Sequence, residues 1–226
     1  MTPRLRKLLF ETLYKNKYLY RFASTVPFAG QWRVWQRLVL KRIHGQDVLE
    51  LGCGLGDLLA DMTRAGYNCQ AIEQSLPMVE AARQTMQRRA PGQKAWIIHG
   101  LAQHLPFSNA SFDTVVSTFP SEYIYDPDTV AEVERVLRPG GECGILDFSE
   151  PKGIVGHLYR IYFKQVLPRV GTFLSGVRGP YAYLPNSVER FPQPEEMLDR
   201  MRRAGFREVS WTRYTLGIAG LYRGKK

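Results

Sequence analysis

The sequence predicts an α/β fold, a largely parallel sheet with helices on its faces. Two observations predict it. Beyond residue 44 short apolar runs alternate with amphipathic ones, and one of those runs, "DVLEL", opens directly into "GCGLGD", a bare turn leading from strand to helix. At 226 residues the chain has the length of one domain with a single sizeable core. Its hydrophobic content of 44% is that of an ordinary globular protein.

Taken in order, residues 1–44 carry ten Lys or Arg against the single acid Glu11, so nearly all of the net charge of +10 sits there. Leu5, Leu8, Leu9 and Leu13 fall on one helical face, as do Trp32, Trp35, Val39 and Ile43 further on, which predicts a basic helical cap over residues 1–44 ahead of a domain spanning 45–226. A basic, aromatic, amphipathic arm suits peripheral contact with an anionic membrane surface. It suits equally a cap whose charged face is simply solvated. Nucleic acid is an unlikely partner by this reading, because no recognition motif accompanies the charge.

Strands are expected over 47–51, 68–73, 95–99, 112–118 and 142–148, with helices in the gaps. The helix after Asp126 is the best marked: Asp126 can cap it, Pro127 suits its first position, Val130, Val133 and Leu137 share a face, and "RPGG" at 138–141 stops it. Residues 150–192, rich in aromatics, Gly and Pro, read as an insertion of the lid or substrate-binding kind. A last helix over 194–204 ends at Gly205, and strand-like runs at 208–214 and 218–222 follow.

Other features bound the function. Cys53, Cys69 and Cys143 are scattered and odd in number, which fits a reducing, cytoplasmic setting and no disulfide framework. No secretory leader and no apolar run of about 18 residues is visible. His99 and His104 lack a carboxylate at ligand spacing, so no metal site is expected.

The glycine turn carries the chemistry. Gly52, Gly54 and Gly56 let a ligand approach the backbone beside a helix expected over 55–65. Their spacing is not that of the dinucleotide fingerprint, and Glu50 and Asp57 would repel a phosphate. Glu50 suits instead an ammonium or sulfonium group. Glu73, ending the next strand, can accept both hydroxyls of a ribose. Ribose plus cation without phosphate describes S-adenosylmethionine (SAM).

"VLELGCGLGD", Glu73, "LPFSNASFDTVV" and "VLRPGG" resemble the successive motifs of class I SAM-dependent methyltransferases. "YFKQVLPRVG", "YLPNSVERFPQPEEMLDRMRRAGFREV" and "GIAGLYRGKK" are similar to the C-terminal half of the ubiquinone/menaquinone biosynthesis C-methyltransferases. The resemblance implies a Rossmann-like seven-stranded sheet, mostly parallel with an antiparallel last strand. It also implies SAM as cofactor, S-adenosylhomocysteine as product, and C-methylation of a quinol-type ring on a lipophilic small molecule. On the cofactor side it points to Glu50, Gly52, Cys53, Gly54, Glu73, Gln74 and Thr118. Two stretches depart from the family: "FPSEYIYD" stands where a Gly-x-Arg-Asn segment is common, and Leu101 where an acid usually meets adenine. Adenine recognition then moves to Ala102 and Gln103.

A methyl acceptor at a ring carbon needs a base for the phenolic proton. Glu122 and His157 are the candidates, with Tyr123, Tyr159 and Tyr183 lining the acceptor. Two alternatives stay open: N-methylation of a phospholipid head group or other small molecule, and a non-catalytic, methyltransferase-like lipid-binding or assembly protein, which would have no need of both carboxylates.

Overall fold

The structure, a computed structural model, describes residues 30–167 and 193–226 together with Arg21, Thr25, Phe28 and Arg169. Tyr183, most of the insertion and the leucine face at residues 5–13 lie outside the described residues. Seven strands form one sheet: β1 Asp47–Leu51, β2 Asn68–Glu73, β3 Trp96–His99, β4 Phe112–Thr118, β5 Leu137–Phe148, β6 Arg207–Tyr214 and β7 Ala219–Lys225. Their order is β3-β2-β1-β4-β5-β7-β6. All neighbours from β3 to β5 are parallel, and β7 runs antiparallel to both β5 and β6. The mostly parallel sheet with one reversed strand is therefore the fold that the sequence implies.

Parallel strands buried on both faces need continuous apolar runs. Val48, Leu49 and Leu51 of β1 and Val115 and Val116 of β4 are fully or almost fully buried. Among the described residues six α-helices flank the sheet: α1 Gln31–Gln36, α2 Asp57–Arg64, α3 Leu76–Arg89, α4 Pro127–Val136, α5 Gly153–Ile161 and α6 Pro194–Arg203. One face packs Val48, Val116 and Leu146 against α1, α2 and α3; the other packs Leu49, Leu51 and Ile145 against α4 and α6.

Local chemistry explains the ends. Asp126 accepts the amide of Asp128 at 3.1 Å and Pro127 follows, so α4 begins where the sequence places it. In α6, Glu195 and Glu196 open the helix and Arg200, Arg202 and Arg203 close it, charges that oppose the helix dipole at each end. Met197 and Met201 provide its buried face.

Some boundaries differ from expectation, and β7 runs to Lys225, three residues past its expected end. "RPGG" ends α4, but β5 starts at once: Leu137 already pairs with Phe112, a bulge absorbs the Pro-Gly-Gly segment, and pairing resumes between Thr114 and Glu142. The helix expected from Leu55 starts at Asp57, because Gly56 takes a left-handed φ of 74° at its N-cap. The Trp32 to Ile43 face resolves into α1 and a 3-10 turn, Val39–Arg42, with Trp35 and Val39 buried against the sheet.

Candidate active site

The chain crosses from one half of the sheet to the other between β1 and β4, and a crevice outside the carboxyl ends of the strands at such a switch is where ligands bind in open α/β sheets. The glycine turn sits there. Gly52 donates to the Ile72 carbonyl at 2.8 Å, which ties the turn to β2. Gly52, Gly54 and Gly56 all have positive φ, at 68°, 54° and 74°. Close approach adds a second reason for glycine. A Cβ on Gly52 would collide with the Tyr123 hydroxyl, and one on Gly56 would lie 2.9 Å from the Ala82 backbone of α3.

Two carboxylates flank the turn. Glu73 ends β2 and accepts the amides of Gly54 and Ser75, each at 2.9 Å, one on each oxygen. A carboxylate oxygen has two acceptor sites, so this bracing leaves capacity for ribose hydroxyls. Burial raises the Glu73 carboxyl, against the pull of those amides and of His99. Glu50 is almost fully buried on β1, and its Oε2 has no hydrogen-bond partner among the described residues. Burial holds the Glu50 carboxyl well above the usual carboxylate range, with Arg33 as the largest opposing charge. An orphaned acid beside a bare turn is the observation that fits SAM: Glu50 would face the cationic methionine part and Glu73 the ribose.

The remaining cofactor-side residues occupy distinct places. Cys53 is packed into the core, and burial pushes its thiol well up, so it fills space behind the turn. Gln74 is exposed, and its carbonyl lies 3.0 Å from His99 Nε2. Leu101 is exposed and Ala102 buried, while the Gln103 amide donates to Asp126 at 3.3 Å. The loop that holds them is pinned to α4, where Glu132 accepts the Leu105 amide at 2.6 Å and Arg135 donates to the Phe107 carbonyl at 2.7 Å. Thr118 ends β4, buried, and accepts from the Gln36 side chain of α1 at 3.3 Å.

On the acceptor side a 3-10 turn, Glu122–Tyr125, follows β4. It carries Glu122, exposed, and Tyr123, whose hydroxyl packs on Gly52. His157 and Tyr159 ride on α5 but on different sides of it: Tyr159 is buried and His157 exposed. The structure therefore brings Glu50, Gly52, Glu73 and Tyr123 together, while His157 is exposed on α5.

Several neighbours escape sequence reasoning. Phe119, just past β4, has a left-handed φ of 50°, and its ring lies 4.2 Å from Trp32 and 4.7 Å from Phe148. With Phe28 and Trp35 these rings make an aromatic cluster where α1 meets the ends of β4 and β5. Arg33 of α1 reaches the Asp57 carbonyl at 3.3 Å and the Asp61 carboxylate at 2.5 Å, so α1 is latched to α2. Asp147 is buried near the end of β5 and accepts the phenol of Tyr125 and, at 2.7 Å, the amide of Phe148. An acid inside "GILDFSE", an otherwise apolar strand, was the available signal for that pair.

This sheet order, with a glycine turn between two strand-end carboxylates, defines a SAM-dependent methyltransferase. The sequence matches the ubiE/COQ5 methyltransferase family over residues 7–226, and the chain belongs to that family. It is 38% identical over 220 residues to the demethylmenaquinone methyltransferase of Deinococcus radiodurans, covering 92% of this chain and 88% of that one. It is 32% identical to the ubiquinone/menaquinone biosynthesis C-methyltransferase UbiE of Geotalea daltonii, with 96% and 94% covered. Among solved structures, a SAM-dependent methyltransferase from Thermotoga maritima, described as a possible histamine N-methyltransferase, shares the fold with a TM-score of 0.67 at 20% identity, covering 96% of this chain and 98% of that one.

Proposed function

We propose that this chain transfers a methyl group from SAM to a ring carbon of a lipidic quinol of the menaquinone or ubiquinone series. The observation that carries the reading is the 38% identity, across nearly the whole chain, to a protein named demethylmenaquinone methyltransferase. The aromatic cluster of Trp32, Phe119 and Phe148 past the ends of β4 and β5 supports it, since flat apolar faces suit a ring and exclude water.

Bound SAM supplies an electrophilic methyl on a sulfonium. The protein's part is to position a nucleophile in line with it. Glu50 and the turn hold the donor's methionine end, Glu73 its ribose, and Gln74, Leu101, Ala102 and Gln103 surround its adenine. Tyr123 and Tyr159 border the acceptor. Glu122 is the base for the phenolic proton, because it adjoins Tyr123, whose hydroxyl packs on Gly52, in the turn that follows β4; His157, exposed on α5, is the second candidate. Charge left on the ring after proton removal makes the ortho carbon nucleophilic, a contribution typically of about 10² to 10⁴-fold.

The substrate's lipid tail places the reaction at the cytoplasmic membrane face, and the basic arm at residues 1–44 is a peripheral contact. Among the described residues no helix is long and apolar enough to cross a membrane. The test is transfer of a labelled methyl group from SAM into total membrane lipid, with mass spectrometry of the product. Methylated quinol is the expected product. Methylated phospholipid would replace this reading with N-methylation of a head group.

A further inference from the structure

Helix α5 has two apolar faces, and the core uses one of them. Gly156 and Tyr159 are buried and Tyr162 half-buried against the domain. Ile154 and Leu158, spaced by four, and Ile161, three further on, line a second stripe that faces solvent; Ile154 is 81% and Leu158 60% exposed. Alongside that stripe lie His157 and Arg160, also exposed, and Lys164 is exposed in the π-helical turn, Tyr162–Val166, that follows the helix.

The turn between β6 and β7 extends the patch. Thr215 and Leu216 both hold positive φ, 48° and 58°, a costly conformation for residues with branched or bulky side chains. The result is a leucine 78% exposed at the tip. That tip abuts the segment that opens α5: Ser149 donates to the Gly217 carbonyl at 2.6 Å, and Gly217 packs on Pro151. Between Ser149 and Arg169 the chain has Lys152, Arg160, Lys164 and Arg169 against one acid, Glu150, which pairs with Arg160 at 2.5 Å.

We infer that α5 and the Leu216 tip form a seat on an anionic bilayer, with Ile154, Leu158, Ile161 and Leu216 entering the headgroup boundary and the basic row meeting lipid phosphates. Charge decides among occupants. A second copy docked by a two-fold axis would set the basic row against itself. Nucleic acid would give the aliphatic stripe nothing to contact. An anionic lipid surface satisfies both rows at once, as interfacial helices do. The seat takes from the proposed function only that the acceptor lives in lipid.

The experiment uses the full chain. Cys53, Cys69 and Cys143 are buried, so a cysteine introduced by Leu158→Cys is the accessible labelling site for a polarity-sensitive dye, with Trp96→Cys, at the opposite end of the sheet, as control. Vesicles of phosphatidylcholine with about a third phosphatidylglycerol should blue-shift the dye at position 158 and leave that at 96 unmoved. Phosphatidylcholine alone should do much less. In co-sedimentation, Ile154→Glu with Leu158→Glu should weaken vesicle binding at least tenfold while SAM affinity and the circular dichroism spectrum stay unchanged. An unmoved dye at 158, undiminished binding by the double variant, or a dimer in light scattering that the double variant dissociates would each overturn the inference. None of these readouts uses methyl transfer, so a failure of the proposed reaction would show separately in the product analysis.

Discussion

The phenol of Tyr125 donates to the carboxylate of Asp147, and both side chains are buried where β5 meets the turn that carries Glu122 and Tyr123. Burial raises the Asp147 carboxyl from an ordinary 3.8 to about 7, and raises the Tyr125 phenol with it. The folded state therefore keeps a proton that the unfolded chain releases. This contribution to stability is complete below about pH 4 and is lost as pH rises through 7.

Between pH 5 and 8 the loss due to Asp147 comes to about 3 kcal/mol. Urea unfolding of the wild type and Asp147→Asn at both pH values should show it. The wild type should weaken more over this interval, by about that amount, since the amide has no proton to lose.

Asp61 of α2 ties α1 and α3 to its own helix. It accepts Arg33 at 2.5 Å, Arg37 at 2.9 Å and Arg89 at 2.8 Å, with its own side chain 8% exposed. Removing it takes a shared carboxylate from three guanidiniums, although Arg33 keeps Gln36 and the Asp57 carbonyl and Arg89 keeps the Asp57 carboxylate, so Asp61→Ala should cost about 2 kcal/mol in urea unfolding. Arg37→Ala, at a mostly exposed partner, should cost under about 0.5 kcal/mol.

Much of this was legible from pattern. Five parallel strands, the glycine turn and both flanking carboxylates each leave a local signature: an apolar run, a glycine spacing, an acid at a strand end. The residues that escaped depend on contacts far along the chain. Gln36 meets Thr118, Trp35 meets Thr215 at 2.7 Å, and Asp147 meets Tyr125. No periodicity marks such pairs. The left-handed backbone at Phe119 is likewise silent in the sequence, because only glycine advertises that conformation.

Gly52 tests the turn. Gly52→Ala adds both an unfavourable left-handed φ and a clash with the Tyr123 hydroxyl. SAM affinity by calorimetry should fall at least tenfold. Adding Tyr123→Phe should restore only part of it, because the backbone cost of about 1 to 2 kcal/mol remains.

The two candidate bases separate kinetically. Glu122→Gln should lower kcat by about 10² to 10⁴-fold with little change in the KM for SAM. His157→Ala should leave kcat within about twofold when a short-tailed, water-soluble quinol is the acceptor. Equal losses in both variants would contradict the placement of the base on the β4 turn.

The proposed place of Glu50 beside the donor's cation couples SAM binding to loss of a proton. Glu50 is buried, with an oxygen lacking any partner among the described residues, and burial raises its carboxyl well above the usual carboxylate range. A ligand cation beside it favours the carboxylate. Binding of SAM should then release a proton, read as a dependence of the calorimetric enthalpy on the buffer's ionisation heat. Glu50→Gln should abolish that dependence and weaken binding together. A wild-type enthalpy identical in phosphate and Tris at pH 7 would remove Glu50 from the cation's side, while loss of SAM affinity in Glu73→Ala would still leave the ribose contact standing.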